Sequence, residues 1–301
     1  MWRVTLVVLA ALLGVPAHTP GQTTPSLLEV VRKAAPQRVD GPIPTHFSPG
    51  AEQRAKDLQG VLAKASAFYR ERLGLSPTFT LALLDPPAWK SVTGGAVPYG
   101  LPFVNGAPPV MVLPFRQEGA IVTGYMANAS RLPAEVVKLV EASRRPFAAH
   151  VADMVDLVGY HELGHLYVGE WGINPHTRWF SELLATYFGY AFMAERLPDL
   201  ARTWEIVSRS DAGNTPEHRS LADFERLYSG VGADNYIWYQ GRFSERVFAI
   251  FAIERLDFLR KVKDAFPGPP NERLAPDQLL EQLEKVRPGF KEWVRSVESN
   301  P

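Results

Sequence analysis

The sequence predicts an α+β fold, with a small mixed sheet carrying an edge strand in an N-terminal lobe and a mainly helical C-terminal lobe. Three observations predict it. Two short apolar runs, 78–84 and 110–113, are bounded by proline, glycine and aspartate, which is the pattern of strands. From Leu132 onward apolar residues recur at helical spacing instead. Where the two regimes meet, one helix carries His161-Glu162-Leu163-Gly164-His165.

Taken in order, Arg3, the apolar run 4–15 and the small residues around Ala17 have the layout of a secretory signal over 1–17. The run is shorter than the ~20 residues of a spanning helix. A secreted or periplasmic protein is expected, with an uncleaved N-terminal anchor as the alternative. Residues 18–47, rich in Pro, Thr and Gly, read as a linker or pro-segment leading into a catalytic domain over 48–301, its lobes dividing at 168/169. Ser48-Pro49 announces a helix over 51–73, and Gly74 stops it. The strand 78–84 ends at Asp85-Pro86-Pro87, and 91–108 reads as loops. Proline brackets 110–113, which places that strand at a sheet edge because proline cannot donate to a ladder. Helices follow over 133–143, 146–168 and 179–196, the last ended by Pro198, then 221–228, 236–266 and a terminal pair split by Pro288.

Composition excludes several functions. Of 301 residues, 32 are basic and 32 acidic, so no global field attracts a polyanion, and nucleic acid is not an expected partner. There is no cysteine, which removes disulfides, thiolate ligands and cysteine nucleophiles. Any metal must be held by nitrogen and oxygen.

His161 and His165 are one helical turn apart and stand on one face, continuing the stripe of Met154 and Leu157. Two imidazoles so placed can hold one zinc ion, and Glu162 can serve as general base to a metal-bound water. A catalytic zinc usually has a third protein ligand, and Glu182 on the next helix is the best-placed carboxylate. Gly169, Gly172, Asn174 and Pro175 form a natural reversal before it. Ala185 and Gly189 would let the two helices approach closely. Apolar neighbours on both sides of Glu182 argue against a solvated helix glutamate.

These blocks, His161-Glu162-Leu163-Gly164-His165 and Trp179-Phe180-Ser181-Glu182-Leu183-Leu184-Ala185, resemble the gluzincin metallopeptidases. The aminopeptidase-N-like branch, whose second block reads W-L-x-E-x-x-A, is closest. The resemblance is strong over about 150–190. It implies a zincin fold with a thermolysin-like catalytic domain, one zinc ion on His161, His165 and Glu182, and a peptide or protein substrate. It also implies a tyrosine at the start of a later helix that stabilises the oxyanion. Tyr236, with Asn235 as its helix cap, and Tyr239 one turn on are the candidates, and His218 is the thermolysin-style alternative. Thr186 is placed to support a ligand; His150 and His176 are not expected at the metal.

The chain departs from the branch at Gly124-Tyr125-Met126-Ala127-Asn128, where Ala127 stands in place of the amine-gripping glutamate of G-x-M-E-N. Removal of N-terminal residues is therefore not supported, and an endopeptidase-like or peptide-specific hydrolase fits better. Its edge strand, expected at 110–113, would pair with the substrate backbone. A catalytically idle zincin that binds peptides, and a zinc hydrolase of a non-peptide or cell-wall amide, are the competing expectations.

Overall fold

The structure is a computed structural model that describes residues 25–210, 216–268 and 273–299, and it begins with regular elements where the sequence suggested a linker. Ser26 and Glu29 form a capping box that starts α1 (Leu27–Ala34). Strands β1 (Gln37–Val39) and β2 (Thr45–Phe47) follow. β2 is fully buried inside the sheet, so 27–47 is part of the fold and not a linker. The expected signal segment, 1–17, lies outside the described residues.

Next come α2 (Glu52–Leu73), ended by Gly74 at φ 74°, then β3 (Thr80–Leu84) and α3 (Pro86–Thr93). α3 was hidden in the sequence because Pro86-Pro87 reads as a strand stop. Here Asp85 accepts from Ala88 N, and the prolines occupy the first helical turn, where no amide donor is needed. Strands β4 (Phe103–Asn105) and β5 (Val110–Pro114) complete a sheet of order β1-β2-β3-β5-β4. β2, β3 and β5 run parallel; β1 and β4 are antiparallel to their neighbours.

The expected edge strand is therefore an inner one. β5 pairs with β3 on one side and with β4 on the other, and β4 is the edge. The bracketing prolines stand at and just outside the strand's ends, which leaves the four residues between them free to donate. Burial alternates across the sheet: Leu81, Leu83, Met111 and Leu113 enter the main core, and Ala82, Leu84, Val110 and Val112 a smaller one under α1 and α3. A sheet covered on both faces reads as continuous apolar runs, as these strands do.

The remainder is helical: α4 (Ala120–Met126), α5 (Ala134–Ser143), α6 (Phe147–Glu170), α7 (Arg178–Arg196), α8 (Pro198–Ser208), α9 (Leu221–Leu227), α10 (Ala233–Glu254), α11 (Asp257–Ala265), α12 (Pro276–Val286) and α13 (Phe290–Ser299). The described residues are thus a mixed α+β, mostly helical fold of 13 α-helices and one five-stranded sheet. Pro198 starts α8 as well as ending α7, so one helix was missed. The single helix expected over 236–266 is two, broken where Arg255 takes φ 50°. No helix among the described residues is long and apolar enough to cross a membrane. The main core runs across the expected lobe boundary, from Leu83 and Phe68 through Leu157 and Phe188 to Phe243 and Phe258.

Candidate metal centre

The site depends on how closely α6 and α7 pack. A Cβ on Gly164 would lie 2.3 Å from Ala185 O, and one on Gly189 would lie 3.2 Å from His161 N. Only glycine at 164 permits this crossing, and Gly189 eases it. The reversal between the helices uses Gly172 at φ 64° and His176 at φ 61°, with Asn174 Oδ1 accepting from His176 N at 3.0 Å. Thr177 then caps α7 by accepting from Phe180 N. His176 is buried in the turn, where its Nδ1 accepts from Leu274 N at 3.1 Å. It is a turn-forming residue, outside the cluster of His161, His165 and Glu182 and not among the residues that line the cavity beside it.

This crossing brings His161, His165 and Glu182 together, with ligand atoms all within 4.8 Å of one another. His161 Nε2 lies 3.2 Å from His165 Nε2 and 3.1 Å from Glu182 Oε2; His165 Nε2 lies 3.7 Å from Glu182 Oε1. Ligands ~2.0–2.2 Å from a shared tetrahedral ion stand roughly 3.3–3.6 Å apart. The three side chains therefore fit a single metal ion with little movement. His161 Nδ1 lies 3.0 Å from the buried Thr186 Oγ1, which fixes the ring and leaves Nε2 facing the centre. Thr186 thus stands where the sequence placed it.

Glu182 is almost fully buried, and it is held by more donors than the sequence foretold. Tyr228 Oη donates to Oε1 at 2.8 Å; Tyr236 Oη and Gln240 Nε2 donate to Oε2 at 3.2 and 2.9 Å. Burial works against its charge, but the hydrogen bond from His161, the two imidazoles and Tyr228 together hold the carboxyl well below the usual range. Burial likewise disfavours charge on His161, and the hydrogen bond and negative charge of Glu182 outweigh it, raising its pKa. His165 is pushed down to about 4, chiefly by burial. Metal binding requires an ionised carboxylate and two neutral imidazoles; Glu182 and His165 are held in those states, and His161 must give up its proton to the ion.

Glu162 sits beside this group, and its Oε2 accepts from Val104 N, on β4, at 3.1 Å. Burial pushes its carboxyl up to about 7, with His161 opposing and Glu182 reinforcing the shift. The cluster opens on a cavity of about 820 Å³, lined by β4, α3, α4, α6, α7, α8 and α10.

Compared with known proteins, the chain matches no family model, no curated protein and no solved structure.

Of the expected tyrosines, the structure brings one to the site. Tyr236 lines the cavity. Tyr239 is fully buried, donates to Ser220 O at 2.8 Å and packs edge-on against Phe224, so it is a core residue and not part of the site. Successive residues turn by ~100° on a helix, and it is Gln240 that shares the Glu182-facing side with Tyr236. Asn235 does not cap the helix. α10 begins at Ala233, and Asn235 instead accepts from Glu217 N and donates to His218 O. His218 does not line the cavity; its ring faces Asp223 at 3.9 Å. His150 is bound to Ser143 and Thr203, apart from the metal cluster. Gly124-Tyr125-Met126 lies in helix α4, and Tyr125 lines the cavity.

Sequence reasoning missed Tyr228, Gln240 and Val104. Gln240 was within reach, since it stands four residues after Tyr236 on one helix. Tyr228 carries no such signal: it takes a strained φ of 36° at the end of α9 and meets Glu182 only through the tertiary fold.

Proposed function

We propose that the protein is a zinc-dependent peptidase of the gluzincin type, with a thermolysin-like zincin fold and His161, His165 and Glu182 as the zinc ligands. The observation that carries this reading is the buried convergence of these three side chains beside Glu162 at the wall of a large cavity. The donor set is nitrogen and oxygen with one carboxylate, as in catalytic zinc sites that keep a position open. Zinc, when bound, supplies Lewis acidity, polarising a carbonyl oxygen and bringing the pKa of water at the site to ~7.

The chain's own residues do the rest. Glu162 takes a proton from the attacking water and passes it to the leaving nitrogen, a role its place beside the three ligands at the cavity wall suits. The Val104 amide orients one oxygen of Glu162 and leaves the other to work. Tyr236 and Tyr228 hold O–H donors at the same centre, ready to meet an oxyanion. Val104 N faces away from β5 toward Glu162, so the outer edge of β4 borders the cavity and offers a template for an extended peptide. The substrate-pairing role expected of 110–113 passes to β4. Export through the N-terminal segment completes the proposal.

A peptide library incubated with zinc-loaded protein tests it. Cleavage is expected, with Glu162→Gln slowing it by about 10²–10⁴-fold while zinc is retained. Zinc bound without cleavage of any peptide would favour a peptide-binding module or an amide hydrolase of another substrate class.

A further inference from the structure

The cavity continues past the metal cluster between α4, α6, α8 and α10. Ile121, Met154, Val158, Trp204 and Ile237 supply its walls there. Val158 and Met154 lie about one and two turns before His161 on α6, so this arm starts at the cluster and extends on the order of 10 Å from it. Two hydroxyls interrupt the apolar lining: Ser208 on α8 and Ser244 on α10, 3% and 2% exposed.

These serines share one region of the arm. A Cβ on Gly241 would come within 2.8 Å of Ser208 O, so α8 and α10 are in close contact there. Gln240, which donates to Glu182, is one turn before Ser244, an axial rise of about 6 Å. Ser244 Oγ accepts from Trp204 Nε1 at 3.1 Å, which takes one acceptor position and leaves the hydroxyl proton to donate elsewhere. Ser208 makes no side-chain hydrogen bond among the described residues, and it faces the cavity. A hydroxyl that faces a cavity with no protein partner is free to bond a ligand group there.

We infer that this arm is a subsite for a tyrosine side chain next to the scissile bond. An apolar chain of intermediate length with a hydroxyl tip is what the lining complements. The phenol O–H donates to Ser208 Oγ, and the Ser244 O–H donates to the phenol oxygen. Phenylalanine and leucine would fill the walls but leave Ser208 Oγ and the Ser244 O–H without a partner. Serine and threonine are too short to reach them. Lysine and arginine would bring a charge where the walls offer no counter-charge. An indole N–H could satisfy Ser208 but has no acceptor for Ser244.

The subsite rests on the peptidase reading only for its place beside the cleaved bond, so its test has a binding arm and a cleavage arm. NMR titration of the full chain with N-acetyl-tyrosinamide and N-acetyl-phenylalaninamide requires no turnover. The tyrosine amide is expected to bind about tenfold more tightly, the worth of one good hydrogen bond. Ser208→Ala and Ser244→Ala should each bring that ratio toward one. Equal affinities for wild-type protein would overturn the subsite, a result that stands even if the variants fold poorly. With the zinc-loaded protein, kcat/KM is expected to favour tyrosine over phenylalanine beside the cleaved bond by a similar factor; cleavage without that preference also overturns it. Binding that prefers the tyrosine amide, with no peptide cleaved, would support the subsite and overturn the peptidase reading.

Discussion

Gly164→Ala tests whether the α6–α7 crossing sets the metal geometry. The added methyl would stand 2.3, 2.7 and 2.8 Å from the O, Cα and C of Ala185, all backbone atoms that no rotamer change can move. Reaching a separation of 3.0–3.4 Å, where real contacts begin, requires the helices to part by about 0.7–1.1 Å. Glu182 is one turn from Ala185 on the same helix and would move with it. Ligand distances at a metal tolerate about 0.2 Å. Metal affinity should therefore fall by at least the 10–100-fold typical of a disturbed supporting contact. Stability changes less, because alanine gains ~1 kcal/mol of helix propensity against an overpacking cost of about 1–3 kcal/mol. Gly189→Ala is the control. Its nearest contacts are at 3.2 Å, so it needs only about 0.2 Å of give, and its affinity should stay within about threefold of wild type. Competition titration against a chromophoric chelator measures both. Wild-type affinity in Gly164→Ala, or equal losses in the two variants, would refute the reasoning.

Three further outcomes are expected. Tyr236→Phe should lower kcat by roughly 10²–10³-fold with the fold intact, whereas Tyr239→Phe should leave Ser220 O without its donor and cost about 1–3 kcal/mol of stability; the reverse pattern in kinetics and denaturation would exchange their roles. Thr186→Val should weaken metal binding about 10–100-fold by freeing the His161 ring, as read by the same chelator titration, and unchanged affinity would count against the contact. His46 and His150 have folded pKa values lowered by burial, so between those values and the unfolded ~6.5 the unfolded chain binds more protons. Stability of the metal-loaded protein is then full above pH 6.5 and lost as pH falls below it; denaturant midpoints that stay level from pH 7 to 5, or a slope unaltered in His150→Gln, would contradict this.

The three residues that could hold a metal ion were legible because their spacing is a local matter. One helical turn separates His161 from His165, and a glycine-rich reversal followed by small residues returns Glu182 to them. The second strand was legible as a strand but not in its place, because a proline shows that a position lacks a donor without showing which neighbours flank the rest. The first strands, 37–39 and 45–47, are three residues each and too short for alternation to register. Tyr228 and Val104 reach the site through a strained turn and a backbone amide, and neither has a side-chain pattern to read. Tyr239 outwardly resembled Tyr236, and only the rotation of α10 separates a core phenol from a cavity one.

The central claim is that His161, His165 and Glu182 form one zinc site. Metal analysis of natively purified protein, repeated for Glu182→Ala, tests it most directly. The account predicts one zinc ion per chain in the wild type and little or none in the variant. A wild-type protein that neither carries zinc nor takes it up at micromolar concentration would contradict it, as would a Glu182→Ala variant that still holds a full equivalent.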